Sequence, residues 1–257
     1  MGFLRNVLSV SRHPATMRWR KILQPRVWAT VFGLQRKYPE AWKWIAVARS
    51  IEGWLSDAEA NELFRLARQF APQQGAIIVE LGSWKGKSSV MLAAGLLGKQ
   101  IPRLFCIDPF GRDENPEHQE RYYADLLRRD PRDVKQVFRD NIAACGLQEI
   151  VQPLKGYSFE FVTGWQESID LLFIDANHEY EAVLRDFRQW SGFVKPGGVI
   201  VFHDANGRWP GPTRVVSECL QPPAFGLMHP VDSLAWAVKL PFAEGDVDKT
   251  TASRARR

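Results

Sequence analysis

Apolar positions fall into two periods along this chain. Short, largely apolar runs at 77–81, 104–108, 150–154, 169–175 and 199–202 read as strands, and 77–81 has the density of a strand covered on both faces. Further strands are expected near 224–228 and 234–240. Between the runs, spacings of three and four predict helices. Trp44, Ala48, Ile51 and Leu55 share one face; Ala60, Leu63, Phe64, Ala67 and Phe70 form another stripe. Ser56-Asp57-Ala58-Glu59 is a capping box that starts the second of these, and Pro72 and Gly75 stop it. Helical patterns also cover 90–97, 117–129, 132–145 and 213–220, and Tyr180, Val183, Leu184, Phe187 and Trp190 mark one more. Strands alternating with helices predict an α/β fold, a Rossmann-like, doubly wound, mostly parallel sheet of seven strands.

Such a sheet binds ligands beyond the carboxyl ends of its strands. The residues at those ends are Gly82, Asp108, Ser158, Asp175 and Asp204. The first end is a glycine turn, Gly82-Ser83-Trp84-Lys85-Gly86, followed by Lys87-Ser88-Ser89 at the start of a helix. A turn of this kind, with free amides and a helix dipole behind it, suits a carboxylate or phosphate. Glu80, just before the turn, is out of place in a core strand.

The charge is unevenly spread. Residues 1–50 hold ten lysines and arginines against one acid, Glu40, and carry +9 of a total of +5; the rest carries −4. The basic character therefore belongs to an N-terminal extension rich in tryptophan (Trp19, Trp28, Trp42, Trp44), expected to be helical and either to meet an anionic membrane surface or to pack on the domain. A mildly acidic remainder argues against a nucleic-acid partner. The domain proper is expected over 51–241, with a disordered basic tail at 242–257. Three scattered cysteines form no disulfide framework or zinc pattern, so a cytoplasmic location, peripheral to the membrane at most, is expected.

Glu80-x-Gly82-x-x-x-Gly86-x-Ser88, Ile107-Asp108-Pro109, Gly156-x-Ser158, Ile174-Asp175-x-x-His178-x-Tyr180 and Pro196-Gly197-Gly198-x-x-x-x-His203-Asp204, in this order, resemble a class I S-adenosylmethionine-dependent methyltransferase. The metal-dependent O-methyltransferases are the nearest subgroup, similar to the macrolide-sugar O-methyltransferases and the cephalosporin-hydroxylase-like group. The resemblance covers roughly 51–240. It implies S-adenosyl-L-methionine as cofactor, bound by Glu80, Gly82, Ser83, Gly86, Ser88, Asp108 and Ser158. It also implies a small-molecule or glycan acceptor.

The chemistry of these residues agrees with that implication. The glycine turn suits the methionyl carboxylate, and Glu80 its ammonium. Asp108 can accept from both ribose hydroxyls. Asp175 and Asp204, ending adjacent strands, can share Mg²⁺ or a similar ion, and His178 can act as general base. An acid beside the second metal aspartate is expected in the family; here His203 and Ala205 flank Asp204. Two other functions fit parts of the pattern. Gly82-x-x-x-Gly86-Lys87-Ser88 is one residue short of a P-loop, which would make the chain a phosphotransferase. A non-catalytic Rossmann-like binding module is the other.

Overall fold

A computed structural model describes residues 33–111 and 133–241. The expected helix at 117–129, the tail at 242–257, and Trp19 and Trp28 lie outside these residues.

Seven strands form one sheet in the order β3-β2-β1-β4-β5-β7-β6. They are β1 (Ile77–Leu81), β2 (Arg103–Asp108), β3 (Val151–Lys155), β4 (Ile169–Ile174), β5 (Val194–Phe202), β6 (His229–Val231) and β7 (Leu234–Val238). The first five run parallel; β7 is antiparallel to β5 and β6 to β7. Strand β1 pairs with both β2 and β4, so the chain reverses its direction of travel across the sheet at the β1/β4 gap. That gap is where a doubly wound sheet opens its ligand crevice.

Helices cover both faces. They are α1 (Trp42–Ala48), α2 (Asp57–Phe70), α3 (Lys87–Gly95), α4 (Val134–Ala144), α5 (Ser158–Val162), α6 (Tyr180–Trp190) and α7 (Pro210–Cys219). The alternation of β1 divides the core between the faces: Ile78 joins the cluster under α1 to α4, while Ile77, Val79 and Leu81 join the cluster on the opposite face. The capping box before α2 forms as expected, the Ser56 hydroxyl accepting from the Glu59 amide and Glu59 from the Ser56 amide.

The basic extension is partly accounted for. Leu34, Tyr38, Ala41, Ile45 and Ala48 are buried in the main core, with Trp42 and Trp44 packed against it. Residues 33–50 are thus built onto the domain.

Three expected elements are corrected. The helix through Trp44 ends at Ala48, where the Ser50 hydroxyl takes the Val47 carbonyl; Ile51 and Leu55 follow in a loop. Strand β5 begins at Val194, because Pro196-Gly197-Gly198 bulges out of register and pairing resumes at Val199. Of the strand expected at 224–228 only an antiparallel bridge of Phe225 to Lys239 forms, and the strand proper is His229–Val231. The tight turn at Asp232-Ser233 pairs Val231 with Leu234, and Leu227 and Met228 stay exposed.

Candidate functional site

The glycine turn sits against the end of β4. Gly82 has φ +86°, and a Cβ there would stand 2.1 Å from the Asp175 carbonyl oxygen, so only glycine fits. The amides of this turn are largely spoken for, which corrects the expectation of a free anion nest. Gly82 donates to the Ile107 carbonyl and Gly86 to that of Ser83, at 2.9 and 2.8 Å. Ser83 and Trp84 both donate to Asp108 Oδ2 at 2.8 Å, and Phe110 donates to Oδ1. Gly86, itself left-handed, provides no side-chain cap for α3, so the helix's first turn, Lys87 to Ser89, is the part left for an anion.

Asp108 therefore organises the turn from the end of β2. Burial lifts its carboxyl above the ordinary value, and the three amides offset part of that rise. Its two oxygens offer about four acceptor positions, so capacity remains for a ligand hydroxyl. Glu80 lies under the turn with no exposed surface, accepting from the Ser88 and Ser89 hydroxyls, each at 2.5 Å. Burial pushes its carboxyl up to about 7 despite these hydroxyls. The same contacts weigh against a P-loop: Ser88 is committed to Glu80, and Lys87 Nζ donates to the Gly53 carbonyl at 2.9 Å.

At the ends of β4 and β5 the structure gathers Asp175, His178 and Asp204, whose ligand atoms all lie within 4.8 Å of one another. Their side chains are 23, 32 and 20% exposed, enough to be reached from the crevice. His178 Nε2 is 2.9 Å from Asp204 Oδ2, and its ring stacks on Trp209 at 4.4 Å and 18°. Asp204 takes φ +55°, a left-handed conformation that aspartate tolerates better than most residues.

Sequence reasoning missed His203 as a member of this cluster, although it stands beside Asp204 at a strand end. It is buried, and its Nδ1 lies 3.3 Å from Asp175 and 3.2 Å from Asp204, at ion-pair distance but without hydrogen-bond alignment. Its Nε2 is 3.3 Å from the Ser233 hydroxyl and 3.6 Å from Glu59. Burial alone would lower the His203 pKa; attraction to Asp175, Asp204 and Glu59 outweighs it and pushes the value up to about 12. Burial would likewise raise Asp204, but His178 and His203 hold it well below the usual carboxylate range. Glu59 falls to about 2 for the same reason: burial opposes, while His203, Ser233 and the Ser56 amide prevail. The capping box was legible in the sequence; that its glutamate also faces a buried imidazole was not.

Ser158 is the first residue of α5, and its hydroxyl donates to the buried Asp186. Burial raises that carboxyl to about 6. Beside it Tyr157 and Phe159 stack in parallel at 5.4 Å.

Residues 79–205, from β1 to just past Asp204, match the family described as a methyltransferase domain. The fold is that of the class I methyltransferases. The domain is 29% identical over 154 residues to "Uncharacterized protein R132" of Acanthamoeba polyphaga mimivirus, a match covering 54% of this chain. The chain spans 59% of the length of that curated relative. Among solved structures it resembles the O-methyltransferase TomG from Streptomyces achromogenes, described as involved in tomaymycin synthesis and in complex with S-adenosylmethionine. That match has TM-score 0.53 and 16% identity, and covers 81% of this chain and 89% of that one. It also resembles an O-methyltransferase from Bacillus cereus in complex with S-adenosylhomocysteine, with TM-score 0.52, 18% identity and coverage of 88 and 97%. At these identities the likeness establishes the fold of the methyltransferase domain. Among the described residues no helix is long and apolar enough to cross a membrane.

Proposed function

We propose that this protein transfers the methyl group of S-adenosylmethionine to a hydroxyl of a small-molecule or sugar-containing acceptor. The observation that carries the proposal is the cluster of Asp175, His178 and Asp204 within 4.8 Å at the ends of β4 and β5, with Asp175 packed against Gly82 of the glycine turn. The cofactor would lie across the β1/β4 gap, over Gly82, Ser83 and Gly86, its methionyl carboxylate toward the uncapped first turn of α3. Glu80 and Ser88, buried and bonded to each other, support that end from below. Asp108 would take the ribose and the Ser158 region the adenine.

The donor set fits a divalent cation. Asp175 and Asp204 supply hard oxygen donors, which suit Mg²⁺ or Mn²⁺, while His178 beside them stays off the ion as the base. When bound, such an ion supplies Lewis acidity that eases ionisation of the acceptor hydroxyl. The protein's own residues do the rest. In the tautomer where His178 Nε2 carries the hydrogen and donates to Asp204, the lone pair is on Nδ1, and that atom receives the acceptor's proton. The stack on Trp209 fixes the plane of the ring. His203, buried behind the cluster with Nδ1 3.3 and 3.2 Å from Asp175 and Asp204, packs against the two carboxylates from the inner side.

Labelled S-adenosylmethionine offered with a panel of hydroxylated glycans and aromatics, with and without Mg²⁺, tests this reading. We expect oxygen-linked methyl product, lost with EDTA, and a turnover about 10²–10⁴-fold lower in His178→Ala, the usual weight of a general base. Full activity in excess EDTA removes the ion from the mechanism, and wild-type turnover of His178→Ala removes the base.

A further inference from the structure

The glycine turn contains a buried cation that the catalytic chemistry does not use. Lys85 is 4% exposed, and among the described residues its ammonium pairs with one acid, the half-exposed Glu52, at 2.8 Å. Glu52 lies outside the matched methyltransferase segment, in the link between α1 and α2. That link is pinned at both ends. Arg49 Nε donates to Asp57 Oδ1 at 3.0 Å, and the Ser56 hydroxyl meets Asp232 at 2.6 Å. In between, the Gly53 carbonyl accepts from Lys87 at 2.9 Å, and Gly53 packs so tightly that an added Cβ would sit 3.3 Å from Lys87 Cβ. From the other side, Asn141 of α4 donates to the Lys85 carbonyl at 2.9 Å. The segment from Trp84 to Lys87 is thus clamped between the α1–α2 link and α4.

We propose that Glu52 is a positioning residue for the amino-acid end of the cofactor, acting through Lys85. This inference rests on the cofactor reading above. Breaking the pair from the Glu52 side leaves a buried ammonium without its counter-charge, an arrangement far costlier than losing a surface ion pair. Lys85 would then swing toward water and carry with it the backbone that leads into Gly86 and the first turn of α3. The damage should be local: the ribose and adenine ends of the site, at Asp108 and at 156–158, do not touch Glu52.

The test compares two ligands on the full chain by calorimetry. S-Adenosylhomocysteine carries the amino-acid chain; 5′-methylthioadenosine shares its nucleoside and thioether but lacks that chain. For Glu52→Gln we expect the Kd for S-adenosylhomocysteine to rise by about tenfold, the scale of one uncompensated buried charge softened by relaxation. The Kd for 5′-methylthioadenosine should stay within about twofold, and Glu52→Asp, which restores the charge, should recover most of the lost affinity. Unchanged S-adenosylhomocysteine affinity overturns the proposal. Equal weakening of both ligands also overturns it, since that marks a general structural loss. If the wild-type chain binds neither ligand, the cofactor reading itself has failed, a result separate from either of these.

Discussion

Replacing Glu80 by glutamine should have an effect on stability that grows with pH. The wild-type carboxyl is fully buried under the glycine turn, and burial raises its pKa from 4.5 to about 7. In the folded state it therefore keeps its proton until about pH 7, while in the unfolded chain it loses it near 4.5. Between those values the folded state binds more protons, so this group's contribution to stability falls as pH rises and is lost once pH passes about 7. A gap of this size corresponds to a loss on the order of 3 kcal/mol. Glutamine has the shape of the protonated acid and no charge. Its oxygen can accept from one of Ser88 and Ser89, and its amide can donate to the other. Urea unfolding at pH 5 and pH 8, taken as the difference between wild type and Glu80→Gln, cancels the other titrating groups. We expect near-equality at pH 5 and a variant more stable by roughly 2–3 kcal/mol at pH 8. A variant destabilised by the same amount at both pH values would refute the reasoning. It would mean that the two hydroxyls stabilise the ionised carboxylate fully.

Three shorter expectations follow from the same geometry. Gly82→Ala places a methyl 2.1 Å from the Asp175 carbonyl at φ +86°, and thermal unfolding should show a loss of about 3 kcal/mol or more; a loss below about 1 kcal/mol would contradict the close approach of β1 and β4. Asp108→Ala strands the amides of Ser83, Trp84 and Phe110 and should cost on the order of 1–3 kcal/mol per unsatisfied group in urea unfolding, besides removing cofactor affinity. Asp204→Asn should weaken Mn²⁺ binding, read by electron paramagnetic resonance, while S-adenosylhomocysteine affinity stays within about threefold; loss of both together would place Asp204 in the cofactor site.

The sheet was legible because four of its five parallel strands, all but the partly exposed β3, are largely apolar and buried, and at or just past each strand end stands a residue unusual in a core: Gly82, Asp108, Ser158, Asp175, Asp204. Four of those ends meet: Asp108 holds the turn that starts at Gly82, and Asp175, against Gly82, clusters with Asp204. What could not be read was which partner each polar group takes inside it. Glu80 and Ser88 looked like two ligand contacts and are partners of each other. Ser158 pairs with Asp186, 28 positions away, on a helix whose register the sequence alone does not relate to β3. His203 read as a departure from the family pattern, and its burial between Glu59, Asp175 and Asp204 depends on three separate elements meeting. Pattern reveals which face a residue occupies; it carries no information on contacts between elements far apart in the chain. The strand misplaced at 224–228 shows the same limit locally, since the turn at Asp232-Ser233, and not the apolar run, set the pairing.

Direct titration of the wild-type chain with S-adenosylmethionine, ATP and NAD by calorimetry tests the central claim. We expect saturable binding of S-adenosylmethionine at one site per chain, abolished by Asp108→Ala, and no saturable heat with ATP or NAD. Saturable binding of ATP with none of S-adenosylmethionine would contradict it, because the Lys87 and Ser88 contacts to Gly53 and Glu80 leave no phosphate cradle in this turn.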